Sequence, residues 1–257
     1  MIALLALCQL TTRHMARKRF LVPVLAVVAL LALVTAAPAQ PGQWQWGPGI
    51  KVLIVSGGGW HEFDRWFNKA DSATLSEAGI TSVHYTENSN TAAMELPKAD
   101  VLIMSANVPG FDTPAFRKAL FDHVAAGKGL VLLHSGVWHN FPWPEYDRDL
   151  VGGACRSHDG KAPFQEHVVR QHPVTAGLPE TFGVVDEFYH TAADPAGPGI
   201  DILIEGARGS TQYASVWVVH HPKARIVCIA LGHDGTTHNQ AEFKKLLCNA
   251  VTWAAGQ

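Results

Sequence analysis

The segment that most constrains the fold is the charge-free run Gly129–Leu133, which ends abruptly in His134-Ser135-Gly136. Unbroken apolar runs of this length are typical of strands that are buried on both faces, as in a parallel sheet covered by helices. In open α/β sheets, ligands bind in the crevice beyond the carboxyl ends of the strands. The run therefore predicts a parallel sheet and places an imidazole and a hydroxyl group where ligands bind.

Two other apolar runs also end in glycine followed by histidine, at Gly57-Gly58-Gly59-Trp60-His61 and at Gly232-His233-Asp234. The carboxyl ends of parallel strands lie at the same edge of a sheet. We therefore expect His61, His134 and His233 to converge on one site.

Strands and helices alternate along the first half of the chain. The predicted strands cover residues 51–56, 80–86, 99–105 and 129–133, and the predicted helices cover residues 65–79 and 113–127. Thr113-Pro114 is a typical helix start, because threonine caps a helix and proline fits its first turn. The alternation predicts an α/β fold with a flavodoxin-like, doubly wound, mostly parallel sheet.

The second half of the chain is less regular. We predict a helix over residues 143–150, strands over residues 165–170, 202–205, 214–219 and 225–231, and a closing helix over residues 240–255. A turn at residues 221–223 would pair the last two strands antiparallel. Because the chain shows no internal repeat, residues 49–256 are predicted to form a single domain after a linker at residues 40–48.

Residues 15–39 are typical of a signal peptide, whereas the preceding residues 1–14 are not. Arg17-Lys18-Arg19 is a basic start, residues 20–34 are apolar, and Ala37-Pro38-Ala39 has the small residues that signal peptidase requires. This pattern predicts cleavage before Gln40 and export to the periplasm or beyond, with Met15 as an alternative start. An uncleaved membrane anchor is the other interpretation, but the apolar run is shorter than the roughly 20 residues that span a bilayer.

Charge and cysteine content narrow the class of protein. The formal net charge is −2 and there is no basic block, so a nucleic-acid partner is not expected. Cys155, Cys228 and Cys248 remain after cleavage, and their odd number and irregular spacing match no disulfide framework. A single disulfide remains an alternative, but the sequence indicates neither its pairing nor the oligomeric state. Cys155 is interpreted as a buried structural residue.

Carboxylates, a phenol and an imidazole cluster in Asp186-Glu187-Phe188-Tyr189-His190. Carboxylate and imidazole together suit general acid–base catalysis or a divalent metal ion. The alternative is an acidic loop whose groups bond to backbone or arginine. His233-Asp234 allows the same two interpretations, a ligand pair or a turn.

Four further residues are expected at the site. Gly58 belongs to no dinucleotide or P-loop motif, so a tight turn that lets Trp60 approach a ligand is favoured. Trp60 and Trp138 have flat rings that suit a sugar, although burial alone would also explain them. Ser135 lacks a G-x-S-x-G frame, and its neighbour His134 points to the other strand face, so a serine nucleophile is the weaker interpretation.

These motifs, in this order, resemble the ThuA-like family, which is named for trehalose utilisation. The matching segments are residues 55–58, 129–135, 150–153 with His158, 172–179, 186–189, 230–234 and 249–256. The resemblance implies a fold like that of class I glutamine amidotransferases and a role in carbohydrate metabolism, linked to trehalose-type disaccharides and their keto-sugar derivatives. It implies no glutamine hydrolysis, because the matching elbow reads His134-Ser135 and has no cysteine.

We therefore expect an exported protein that binds and transforms a sugar or keto-sugar glycoside. The expected catalytic residues are Glu187 as acid/base with His134, His158 and His233, and the same four are candidate ligands of a divalent metal ion. The expected substrate contacts are Gly58, Trp60, His61, Ser135, Trp138, Asp186, Tyr189 and Asp234. The rival interpretations are a non-catalytic carbohydrate-binding domain and, within enzymes, a serine-dependent hydrolase.

Overall fold

A nine-stranded sheet is the centre of the protein, which the computed structural model describes over residues 44–106, 111–140 and 142–257. The strands are β1 (Lys51–Ser56), β2 (Ser82–Thr86), β3 (Val101–Ser105), β4 (Gly129–Leu133), β5 (Gly153–Val168), β6 (Thr181–Ala193), β7 (Ile200–Arg208), β8 (Thr211–Val219) and β9 (Ile226–Ile229). Their order across the sheet is β2-β1-β3-β4-β9-β8-β7-β5-β6.

The strands β2, β1, β3, β4 and β9 pair in parallel. In β4, Leu130 and Leu132 pack into the core on one face of the sheet, and Val131 and Leu133 pack into the core on the other. Burial on both faces explains why the sequence of β4 shows no polar alternation. The predicted α/β class is confirmed, and this half of the sheet is its parallel part.

Helices cover both faces of the parallel strands. They are α1 (Asp71–Glu77), which continues a π-helical turn at Asp64–Ala70, α2 (Ser89–Glu95), α3 (Pro114–Ala125), α4 (Gly235–His238) and α5 (Ala241–Ala254). The helices α1 and α5 pack on one face, and α2 and α3 pack on the other. The predicted start of α3 is confirmed, because the Thr113 hydroxyl accepts a hydrogen bond from the Phe116 backbone N–H.

The remaining strands pair antiparallel, β9 with β8, β8 with β7, β7 with β5, and β5 with β6. The predicted turn at residues 221–223 joins an antiparallel pair. The sequence predicts only residues 165–170 of the long hairpin formed by β5 and β6. Residues 156–161 of β5 are polar or glycine and largely exposed, so the apolar alternation that signals a strand is missing there. The sheet as a whole is mixed.

The predicted signal peptide, residues 1–39, and residues 40–43 of the predicted linker lie outside the described residues. The Trp44 ring stacks on His84 with centroids 4.9 Å apart, and the Trp46 indole N–H donates to Glu95 at 3.2 Å. Residues 44–48 thus begin the compact unit to which the rest of the described chain belongs. Across residues 44–106, 111–140 and 142–257, no helix has the length and apolar character needed to cross a membrane.

The three cysteines of the domain are free thiols. Cys155 and Cys228 are buried, and burial raises the pKa of the Cys155 thiol to about 12. A thiol with so high a pKa is almost wholly protonated at neutral pH and is a poor nucleophile. The interpretation of Cys155 as a structural residue therefore agrees with its position.

Glu166 is fully buried in the antiparallel half, on β5 between Phe182 of β6 and Gly206 of β7. Its two carboxylate oxygens have no hydrogen-bond partner among the described residues. Burial raises the pKa of Glu166 to about 8, and the negative charge of Asp186 acts in the same direction. The folded protein therefore holds this side chain in its neutral form at neutral pH.

Replacing Glu166 by glutamine should change how stability depends on pH. An unfolded glutamate ionises near pH 4.3, whereas the folded one ionises near pH 8, so ionisation favours the unfolded state increasingly between about pH 4.5 and 8. Across that interval, the unfolding free energy of Glu166→Gln should fall by less than that of the parent protein, with a difference on the order of 3 kcal/mol. Urea unfolding at pH 5 and pH 8 measures this, with exposed Glu180→Gln as control. Equal losses in parent and Glu166→Gln would contradict the account.

Candidate active site

Three strand exits meet at the carboxyl edge of the parallel strands. The loop after β1 carries His61, β4 leads directly to His134, and the loop after β9 carries His233. The His61 ring centroid lies 4.8 Å from those of both His134 and His233, and the latter two are 5.6 Å apart. The three imidazoles that the sequence predicts to converge thus lie together.

His61 and His233 line a pocket of about 430 Å³, whereas His134 is fully buried and is not part of its lining. Its lining consists of Trp60, His61, Ser135, Trp138, His158, Glu187, Tyr189 and His233. Since β5 supplies His158 and β6 supplies Glu187 and Tyr189, the antiparallel hairpin completes a site that the parallel strands begin. The volume lies within the range of about 300–1,000 Å³ that is usual for small-molecule sites.

His134 has a backbone conformation that few non-glycine residues adopt, with φ at 48°. It starts a tight turn, and Gly136 permits this turn because a Cβ there would lie 2.3 Å from the Met104 carbonyl oxygen. The ring Nδ1 is 2.9 Å from the carbonyl oxygen of Ala230. Because a carbonyl only accepts, Nδ1 carries a hydrogen, and Nε2 lies 3.2 Å from the Tyr189 hydroxyl.

Glu187 lies among three imidazoles, and its side chain is only 15% exposed. Its oxygens are 3.5 Å from His134 Nε2, 3.4 Å from His233 Nδ1 and 3.6 Å from His158 Nδ1. Burial acts to raise the pKa of Glu187, but the interactions with His134 and His233 outweigh it and hold the pKa well below its usual range. Glu187 is therefore an anion and can accept a proton.

The two half-buried histidines have opposite pKa shifts. Burial lowers the pKa of His61 to about 3, and the neighbouring His134 and His233 act in the same direction. The Glu187 carboxylate raises the pKa of His233. Neutral His61 can act as a ligand, and His233 can carry a proton beside Glu187.

Among the described residues, one group of histidines has the spacing to hold a metal ion. His61, His134 and His233 each offer a ring nitrogen, and these atoms lie within 4.8 Å of one another. Of the sequence-based ligand candidates, His134 and His233 belong to this group. His158 and Glu187 lie beside it.

Asp186 holds the loop that carries His233. Its carboxylate accepts hydrogen bonds from the backbone N–H of Gly232 at 2.8 Å and of His233 at 3.2 Å, and from the Thr237 hydroxyl at 2.6 Å. The carboxylate is fully buried and does not line the pocket. Asp186 is therefore a positioning residue, not the substrate contact that the sequence predicts.

A second buried pair supports the same loop. Asp71 Oδ1 is 2.7 Å from His238 Nδ1, and His238 Nε2 is 3.0 Å from the carbonyl oxygen of Gly232. Both ring nitrogens face acceptors, so both donate. Burial acts to lower the pKa of His238, but Asp71 outweighs it and raises the pKa. Sequence reasoning missed this pair, because Asp71 and His238 are 167 residues apart in helices with no shared motif.

Three other predicted substrate contacts, Gly58, Asp234 and Ser135, differ in whether they line the pocket. Gly58 is exposed, with φ at 127°, and is not part of the pocket lining. Asp234 caps α4 through the Thr236 backbone N–H at 2.8 Å and forms an ion pair with Lys161, so the interpretation as a turn residue fits it. Ser135 lines the pocket, and its hydroxyl lies 2.9 Å from the hydroxyl of Ser105.

A family model, ThuA: Trehalose utilisation, matches residues 51–254 of the chain. No match to the chain is found among curated proteins. Among solved structures, the chain is similar to a protein described as ThuA-like from Bacteroides uniformis, with 21% identity and a TM-score of 0.68 over 84% of this chain and 95% of that one.

Two further structures are similar in fold. One is described as a GMP synthase protein from Thermoplasma acidophilum, with 12% identity and a TM-score of 0.54 over 82% of this chain and 96% of that one. The other is the CTPS glutaminase domain of Trypanosoma brucei, with 10% identity and a TM-score of 0.52 over 81% and 94% of the two chains. These likenesses confirm the predicted glutamine amidotransferase-like fold.

Replacing Asp186 by asparagine should destabilise the protein. The amide keeps one oxygen acceptor but turns N–H donors toward the backbone N–H groups of Gly232 and His233, which leaves buried donors unsatisfied. We expect a loss of about 3 kcal/mol of unfolding free energy. Denaturant unfolding measures it, and Asp234→Asn, which breaks a partly exposed ion pair, should cost under about 1 kcal/mol. Similar losses in the two variants would contradict the positioning role of Asp186.

Proposed function

Because the chain belongs to the ThuA family, whose model is described as trehalose utilisation, we propose that its pocket binds a sugar or keto-sugar glycoside of the trehalose type and transforms it by proton transfer. The observation that carries the proposal is the partly buried carboxylate of Glu187, which lies among three imidazoles beside two tryptophan rings. Carboxylate and imidazole are the usual groups of general acid–base catalysis.

Glu187 is the proposed base. Its carboxylate lines the pocket and is ionised at neutral pH, so its oxygens can accept a proton. His233 lies 3.4 Å away and has a raised pKa, so in the protein without a metal ion it is the neighbour best suited to return a proton. His134 and His158 hold the carboxylate from its other sides.

The tryptophans are the proposed sugar platform. Trp60 is 82% exposed while it lines the pocket, which leaves a large flat ring free to be covered by a ligand. Trp138 packs edge-on against His158 and Tyr189, with centroids 5.5 Å and 5.6 Å apart, so its ring is fixed beside polar groups. Such a combination fits a sugar, which offers C–H faces and hydroxyl edges.

A serine-dependent hydrolase has less support. The Ser135 hydroxyl is paired with the Ser105 hydroxyl, which is not a base at neutral pH. A non-catalytic carbohydrate-binding domain differs from the proposal only in turnover.

Export completes the proposal, since residues 17–39 have the pattern of a cleaved signal peptide. N-terminal sequencing of the mature protein should then begin at Gln40.

Glu187→Gln separates an enzyme from a binding domain. Glutamine keeps the shape of the side chain but cannot accept the proton, so turnover should fall by about 10²–10⁴-fold while sugar affinity changes little. Trehalose and its keto derivatives are the substrates to follow, by mass spectrometry for turnover and by calorimetry for binding. Exposed Glu180→Gln is the matched control. Unchanged turnover in Glu187→Gln would show that this residue is not the base.

Trp60→Ala tests the sugar platform. Loss of the exposed ring should weaken trehalose binding about tenfold, which corresponds to ~1.4 kcal/mol. The control is Trp44→Ala, because Trp44 packs on His84 away from the pocket. If both variants bind trehalose as the parent does, Trp60 does not contact the sugar.

A further inference from the structure

We infer that His61, His134 and His233 form a binding site for a divalent transition-metal ion, with Zn²⁺ as the first candidate. The inference adds an ion to the proposed sugar site and rests on that proposal only for the use made of the ion. It changes the sequence-based ligand set by placing His61 in it and leaving His158 out.

The three rings come from three different strand exits and still converge. One nitrogen from each lies within 4.8 Å of the other two. Zinc–nitrogen bonds of about 2.0–2.1 Å set ligand nitrogens roughly 3.3 Å apart in a tetrahedral site. The side chains of His61 and His233 are only half-buried, so small rotations of their rings would bring the nitrogens to that spacing.

Two of these rings have a buried nitrogen that makes no hydrogen bond to the described residues. Nδ1 of His61 and Nδ1 of His233 are buried and lack a hydrogen-bond partner among the described residues. For His233, the Glu187 carboxylate is at ion-pair distance, 3.4 Å, but is not aligned as a hydrogen bond. Buried polar atoms are usually satisfied, and an exception calls for an explanation such as an ion. A metal ion between the rings would satisfy both.

The tautomer of His134 favours the same conclusion. Its Nδ1 donates to the Ala230 carbonyl oxygen at 2.9 Å, so Nε2 is the ring nitrogen left to bind an ion. A hydrogen bond from the non-ligating ring nitrogen to a carbonyl oxygen is the usual support of a metal-binding histidine. The long contact from the Tyr189 hydroxyl to Nε2, at 3.2 Å, is the bond that the ion would replace.

The surroundings hold the ligand loop in place. Asp186 accepts from the backbone N–H groups of Gly232 and His233, and His238 donates to the carbonyl of Gly232. A metal site needs such outer support, because loosely held ligands bind weakly. The backbone that carries His233 is thus held by fully buried side chains on both sides.

The ligand chemistry selects the class of ion. Three imidazole nitrogens suit zinc and its neighbours among the transition metals, whereas Mg²⁺ and Ca²⁺ take oxygen ligands. Glu187 lies within 3.5 Å of two ligand rings, so its carboxylate would stand beside the ion and remain available for proton transfer. His158 instead contacts the carbonyl of Asp159 at 3.2 Å and has a side chain that is 34% exposed.

The test uses the mature protein without a histidine tag. After dialysis with a chelator, the protein is titrated with Zn²⁺ by calorimetry and with Co²⁺ by visible absorption, which reports coordination geometry directly. We expect about one ion per chain and the intense cobalt bands of a four-coordinate nitrogen site. No binding of either ion would overturn the inference.

Variants identify the ligands. His61→Ala and His233→Ala should each weaken Zn²⁺ binding more than about 100-fold, and His158→Ala should leave it near the parent value. The matched control is His190→Ala, a half-buried histidine of β6 outside the cluster. Thermal unfolding confirms that each variant is folded, and His61→Gln replaces His61→Ala if the latter is not. Parent-like Zn²⁺ affinity in folded His61 and His233 variants would overturn the assignment.

Sugar binding is measured separately on the zinc-free and zinc-loaded protein. Trehalose binding without any binding of Zn²⁺ would leave the proposed function standing and reject the metal site. Stoichiometric Zn²⁺ binding that depends on His61 and His233 would support the metal site even if no sugar binds. The two proposals can therefore fail independently.

Discussion

The candidate site depends on one buried carboxylate, that of Asp186. It lies on β6, in the antiparallel half of the sheet, and it accepts hydrogen bonds from the backbone N–H groups of Gly232 and His233, which follow the parallel strand β9. Two parts of the chain that are 46 residues apart are thereby fixed to each other. Because Glu187 is the next residue along β6, the same bonds set the distance between Glu187 and His233.

The sequence predicts the parts of the site that share a single physical signal. An apolar strand that ends in histidine is visible in the order of the residues, and it correctly brings His61, His134 and His233 together. The roles of Asp186 and Asp234 are not visible in that way, since a carboxylate in a polar segment looks the same whether it faces a ligand or a backbone N–H. Only the fold shows that Asp186 is buried and bonded. The sequence predicts only the end of β5 for a related reason, because the exposed polar residues 156–161 hide the strand alternation.

The division of the sheet also explains how this fold can support chemistry without the cysteine of the glutamine amidotransferases. The parallel strands supply the loop positions, and the residue after β4 is His134 in a strained backbone conformation. The antiparallel hairpin adds Glu187, Tyr189 and His158 from the side. A fold of this kind does not determine a reaction, so the side chains at its carboxyl edge must do so. Here they are a carboxylate, imidazoles and indole rings, which suit proton transfer on a sugar.

The most direct test of this account is a crystal structure of the protein grown with Zn²⁺ and trehalose, with data collected at the zinc absorption edge. One anomalous peak is expected among His61, His134 and His233, with a sugar against Trp60 and Trp138 within reach of Glu187. A sugar bound elsewhere on the molecule, with the imidazole cluster closed on itself and no anomalous peak, would contradict it.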